Sequence, residues 1–123
     1  MMPNSDRPHP ISTNRLGTYD RLIATQPGAE RKGAKVPYTS LNGNMFSYLD
    51  DKGTIALRLS LEDRTVFMDA YGASLQQAHG IVQKEYVAVP DALASNTAEL
   101  TPWFAASYRY AASLRPKPTT RKK

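Results

Sequence analysis

Residues 33–60, GAKVPYTSLNGNMFSYLDDKGTIALRLS, leave this chain few ways to fold. Asn42-Gly43 is the strongest short hairpin signal, since both residues tolerate positive φ. Asp50-Asp51-Lys52-Gly53 supplies a second turn, with a glycine where the backbone needs freedom. The segment therefore reads as three short strands joined by two turns. Pairing Leu41 with Asn44 and Leu49 with Thr54 puts Phe46, Tyr48, Ile55, Leu57 and Leu59 on one face. The other face carries Tyr38, Ser40, Met45, Ser47 and Arg58. One face is a core and the other is half apolar.

At 123 residues the chain has the size of one domain and can bury a core without metal or disulfide support. It contains no cysteine, which excludes disulfides, thiolate zinc sites and cysteine nucleophiles. No apolar run approaches the roughly 18 residues that cross a bilayer, and no segment has the order of a signal peptide. A soluble, cytoplasmic protein with no membrane contact is expected. The net charge of +5 is concentrated at one end, on Arg115, Lys117, Arg121, Lys122 and Lys123. The rest of the chain carries 11 basic and 11 acidic residues and is balanced. A basic tail over residues 116–123 is solubilising or a contact for phosphates.

Residues 1–15 hold three prolines and no periodicity, and His9 stands between two of them; a disordered leader is expected. From residue 16 a single domain runs to residue 115. Leu16, Tyr19, Leu22 and Ile23 recur at helical spacing until Pro27-Gly28. Ser60 stands three residues before Asp63 as a helix cap, and the helix over residues 61–70 turns Leu61, Val66, Phe67 and Ala70 inward. Tyr71-Gly72 ends it. Residues 72–83 read as polar and irregular, with His79 among them. Residues 84–89 (KEYVAV) alternate as a strand that Pro90 stops, opening a short helical turn over residues 91–95. Thr101-Pro102 reads as the start of a last helix, with Trp103, Ala106, Ser107, Tyr110 and Leu114 in one stripe and Trp103 packed on the sheet.

Chemistry has few footholds here. There is no G-x-S-x-G elbow, no HExxH, no dinucleotide glycine motif and no P-loop. No catalytic, cofactor or metal-ligating residue is assigned. The candidate polar ligand or partner site is Lys32, Lys35, Asn42, Asn44, Arg58, His79, Glu85 and Tyr86, on or near the sheet. Each has a plainer role as well. Asn42 forms a turn, Arg58 and Glu85 can pair across strands, and His79 can hydrogen-bond a carbonyl.

The pieces KGxxxPYTSxNGxMFS at residues 32–47, LRL at 57–59, KEYVxVP at 84–90 and LRPKP at 114–118 resemble the TfoX N-terminal-like family, in the MmcQ/YjbR-like group. The likeness covers about residues 19–118. It implies an α+β domain, an antiparallel sheet built from hairpins with helices before, between and after the strands. It supplies no catalytic residues. The namesake proteins regulate natural competence and carry a second domain where this chain has its basic tail. Three functions compete. The first is a non-enzymatic regulatory or protein-interaction module, with a protein partner or self-association through the mixed face. The second is nucleic-acid binding through the tail with Arg31, Lys32 and Lys35. The third is a small-ligand binder or enzyme with Glu85 and His79 in one pocket.

Overall fold

The computed structural model describes residues 13–33 and 35–116. Most of the expected leader, His9 included, and the tail from residue 117 lie outside the described residues. Nine elements follow in order: α1 (Thr13–Ala24), β1 (Tyr38–Leu41), β2 (Asn44–Leu49), β3 (Ile55–Arg58), α2 (Leu61–Tyr71), β4 (Leu75–Ala78), β5 (Ile81–Ala88), α3 (Asp91–Ala94) and α4 (Thr97–Ser113). The strands form one antiparallel sheet in the order β1-β2-β3-β5-β4. The fold is α+β, as expected. Helix α1 starts at Thr13, inside the stretch expected to be leader, and buries Tyr19, Leu22 and Ile23.

The first hairpin has the expected form. Leu41 faces Asn44, and Asn42 and Gly43 have φ of 54° and 80°. The second turn is one residue longer than expected, because Leu49 pairs with Ile55 rather than Thr54. Asp50 explains the extra residue. Its Oδ1 accepts from the backbone N–H groups of Lys52 (2.9 Å) and Thr54 (2.8 Å), so the carboxylate holds the turn that the backbone alone would close sooner.

A bulge in β2 overturns part of the expected face assignment. Thr39 pairs with Ser47 and Ser40 with Met45, so Phe46 has no opposite residue on β1. The extra residue resets the alternation. Phe46 and Ser47 both turn toward the helices, while Tyr48 goes to the other face with Met45. The expected places of Ser47 and Tyr48 are therefore exchanged. Ser47 is buried and hydrogen-bonded to Tyr19 Oη (2.7 Å) and Thr39 Oγ1 (2.5 Å), so its hydroxyl is satisfied in the core. Burial dominates the Tyr19 hydroxyl and raises its pKa well above the ordinary value.

Two carbonyls beside the bulge also meet a side chain of α4. The β2–β3 ladder stops at Ser47↔Leu57, beyond which Phe46 O and Arg58 O lie under α4. Ser107 Oγ approaches both, at 2.8 and 2.7 Å, and its single proton serves the two carbonyls in turn. Phe46 itself packs against Phe104 and Tyr108 of α4, with both centroid separations at 5.6 Å.

The helices depart from expectation in register more than in existence. On α2, Ser60 caps as read, accepting from Asp63 N–H at 3.2 Å, and Gly72 ends the helix at φ 61°. Only Phe67 is buried, however; Leu61 (69% exposed), Val66 (56%) and Ala70 face outward. Trp103 sets this orientation. It lies not on the sheet but edge-on to Phe67 at 5.2 Å, and its Nε1 donates to Tyr71 Oη. Helix α4 begins four residues before Thr101, because Asn96 rather than Thr101 caps it and Pro102 sits inside. Its buried stripe is Leu100, Phe104, Ala106, Ser107 and Ala111. Residues 72–83 are not irregular either. They hold β4 and the start of β5, joined by His79 and Gly80 at φ 54° and 77°.

Truncating the bulge's hydroxyl clamp gives a direct test. Ser107→Ala removes a buried hydroxyl that donates to Phe46 O or Arg58 O beneath α4 and should lower the unfolding free energy by about 1–3 kcal/mol. Thr65→Ala, which removes a hydroxyl donating to Leu61 O on an exposed turn, should cost less than about 0.5 kcal/mol. Urea titrations of the two variants check this.

Candidate functional site

The residues that bury against the helices project from one face of the sheet. The opposite face carries Tyr38, Met45, Tyr48, Ala56, Arg58 and Tyr86, with Tyr48 and Tyr86 in ring contact at 5.5 Å. At its Arg58 end Tyr110 of α4 reaches the guanidinium, and at its other end Tyr48 and Ala56 are buried. The β4–β5 hairpin provides the cover. Between the pairs Leu75↔Val87 and Gln77↔Val82, Gln76 alone stands opposite residues 83–86. That surplus on β5 bends the hairpin out of the sheet plane. Two side chains fasten the bent arm. Gln76 Nε2 donates to Asp50 Oδ2 at 2.8 Å, and Tyr48 Oη donates to Gln83 Oε1.

Two hollows result. One, of about 560 Å³, is lined by Val36, Met45, Tyr48, the turn of Asp50, Asp51 and Lys52, and the arm tip around His79. The other, of about 590 Å³, is lined by Gly43, Met45, Arg58, Val82, Gln83 and the run Lys84, Glu85, Tyr86. Met45 and Gln83 line both, so they form the ridge between them.

Arg58 organises the second hollow. Its Nε donates to Glu85 Oε1 at 2.7 Å, its Nη1 to Met45 O at 3.2 Å, and the guanidinium lies 5.9 Å from the Tyr110 ring centroid. Tyr110 Oη donates to Glu85 Oε2 at 3.0 Å, so both carboxylate oxygens are engaged. Burial opposes the charge on Glu85, but the hydrogen bonds from Arg58 and Tyr110 and the Arg58 charge outweigh it and hold the carboxyl below its ordinary value. Tyr86 Oη donates to Met45 O at 2.9 Å; burial, only partly offset by Arg58, pushes its hydroxyl up to about 12. Burial likewise raises Tyr48. At neutral pH the site thus presents an ionised, fully engaged carboxylate and protonated phenols. A general base needs a pKa near the working pH, and these groups are displaced away from it.

The remaining candidates disperse. His79 is exposed at the arm tip and lines the first hollow, whereas Glu85 lines the second, so the two are not brought into one pocket. Lys32 makes a bridge with Tyr38 and its Nζ donates to Ser40 Oγ at 3.2 Å. Lys35 is exposed, Asn42 occupies the turn, and Arg31 pairs with Asp20 at 2.6 Å. Asn44 is buried, with Nδ2 donating to Arg115 O at 3.1 Å, which ties the first hairpin to the end of α4. Of the eight candidates, Arg58, Glu85 and Tyr86 come together; Gln83 and Tyr110 complete their surroundings, Gln76 and Asp50 fasten the arm at the other end, and none of these four was foreseen. The His79-Gly80 pair carried the one signal for the arm, since His is enriched at positive φ.

Among the described residues no group of three or more His, Asp or Glu side chains could hold a metal ion, and no helix is long and apolar enough to cross a membrane. No family model, no curated protein and no solved structure matches the chain.

The Glu85 cluster predicts a pH signature. A lowered folded pKa adds stability above the unfolded value near 4.5, and that increment is lost as pH falls through the folded value. The stability gap between wild type and Glu85→Gln should be constant above about pH 5.5 and shrink below about pH 4.5. Urea unfolding between pH 3 and pH 7 measures it; a gap independent of pH would show that Glu85 gains nothing from its charge.

Proposed function

We propose that the chain is a TfoX N-terminal-like module that works in the cytoplasm by binding protein, in a regulatory rather than catalytic role. The observation that carries this reading is the arrangement of apolar side chains around the two hollows. Val36 (48% exposed) opens into the first hollow, Val82 (46%) into the second, and Ile81 (67%) stands beside Val82 on the arm. Exposed aliphatic groups gathered around concave surface favour a macromolecular contact. The order of helices and hairpins supports the family assignment, since it is the order that the sequence likeness implies. The state of Glu85, Tyr48 and Tyr86 supports binding over acid–base chemistry, because each is fixed in the protonation form it keeps through neutral pH.

Site-specific photo-crosslinking tests the reading. A photoreactive phenylalanine analogue at position 82 should give a covalent protein adduct in cells that express the chain. The same analogue at position 66, on the outward face of α2, should give none. Equal yields at the two positions, or no adduct at position 82, would count against a protein-binding face.

A further inference from the structure

The two hollows differ in charge, and the difference names an occupant. The rim of the first carries Asp50, Asp51 and Lys52, a net charge of −1. That of the second carries Arg58, Lys84 and Glu85, a net charge of +1. The strand register separates them. Asp50 and Asp51 close the β2–β3 turn beyond Leu49↔Ile55, while Arg58 lies past Ser47↔Leu57 at the other end of β3. One exposed valine belongs to each hollow, Val36 to the acidic one and Val82 to the basic one.

Two halves of opposite charge about a shared ridge are complementary to each other in charge under a two-fold rotation. An axis through the Met45–Gln83 ridge lays the acidic hollow of one copy over the basic hollow of the other, twice in the dimer. It also sets Val36 of one copy facing Val82 of its partner. We infer that this face is the contact of an isologous homodimer, with the exposed Asp51 of each copy opposite the exposed Lys84 of the other. The inference rests on the reading of the face as a protein contact and adds the identity of the partner.

Charge and apolar contact divide the work. The charges select the antiparallel arrangement, since the alternative parallel overlap places acid on acid and base on base. The valines and Met45 supply apolar area. Asp51 and Lys84 are the members to alter, because both are exposed and neither appears in a hydrogen bond or ion pair of the fold described above. Asp50, Arg58 and Glu85 are unsuitable, since each is bound into the turn or the Tyr110 cluster.

A charge-reversal series with the full chain decides the matter by sedimentation velocity across a dilution series. Wild type should dimerise reversibly and weaken moderately with added salt. Asp51→Lys and Lys84→Glu each create two like-charge contacts and should raise the dissociation constant roughly tenfold or more. The double variant should recover the dimer. An equimolar mixture of the two single variants should recover it as well, because a heterodimer of them contains only opposite-charge contacts. Val66→Glu, on α2, should leave the dimer unchanged. A wild type that stays monomeric at the highest concentration overturns the inference, and if position 82 still crosslinks to another protein the binding face itself stands. A dimer that survives both single reversals, or that Val66→Glu abolishes, uses another surface and overturns it too. Failure of the double variant and the mixture to recover would remove the proposed pairing.

Discussion

The extra residue in β2 is the constraint on which the rest of the molecule depends. An uninterrupted strand would alternate cleanly and place either Phe46 or Ser47 away from the helices. With the bulge, both turn inward, and α4 is drawn onto the sheet at that point by Phe104, Tyr108 and Ser107. A bulge forfeits ladder hydrogen bonds, and an unpaired buried carbonyl costs about 1–3 kcal/mol. The three side chains that answer this cost come from three elements. Ser107 serves Phe46 O, while Arg58 and Tyr86 serve Met45 O. The bulge therefore fixes helix docking on one face, while Met45 O beside it gathers Arg58 and Tyr86 into a cluster that reaches back to Tyr110 of α4.

That double role explains why Arg58, Glu85 and Tyr86 stand together, each engaged by its neighbours. Arg58 is held by Met45 O and Glu85, Glu85 by Arg58 and Tyr110, and Tyr86 by Met45 O. The groups are mutually satisfied, which stabilises their positions and moves their titrations away from neutrality. The second irregularity, in β5, has the complementary effect. By setting four residues against Gln76 it turns the arm across the open face, where Asp50 and Tyr48 receive it. A bare sheet face becomes a ridge with a hollow on either side.

Much of this was legible from sequence, and the misses have a common cause. Asn42-Gly43, Ser60 and Gly72 were readable because their effect is local: a φ sign, a cap, a helix end. The faces of Ser47 and Tyr48 were not, since strict alternation contains no mark of a bulge whose stability comes from Ser107, some sixty residues later. For α2 the misreading was of the same kind. Leu61, Val66 and Ala70 are apolar and look like core, but Trp103 on α4 chooses the stripe that includes Phe67 and Tyr71. Helix α4 began early because Asn96 and Thr101 are both competent caps, and only the packing of Leu100 selects the first. The candidate cluster was half legible. Opposite charges at Arg58 and Glu85 suggested a pair, whereas Tyr110 and Gln83 became neighbours only through the register of the sheet and the bend of the arm.

A division of labour among the surface residues follows from these two bulges. Side chains that answer the defects of the sheet cannot be changed without exposing an unpaired carbonyl or charge, so they are fixed by stability. Those that line the hollows without serving the backbone, Val36, Asp51, Val82 and Lys84, carry no such obligation. They sit on a frame whose shape is set by others, at positions where substitution alters what the face can bind but little of what holds it together. A rigid polar cluster beneath a replaceable apolar and charged rim can be retuned in specificity without loss of the fold. In the proposed contact, the same separation would make specificity depend on charge pattern rather than on pocket chemistry. Two hollows of opposite sign about one ridge distinguish partners by orientation, and a surface of that kind discriminates most strongly in favour of a ligand carrying the same pattern in reverse.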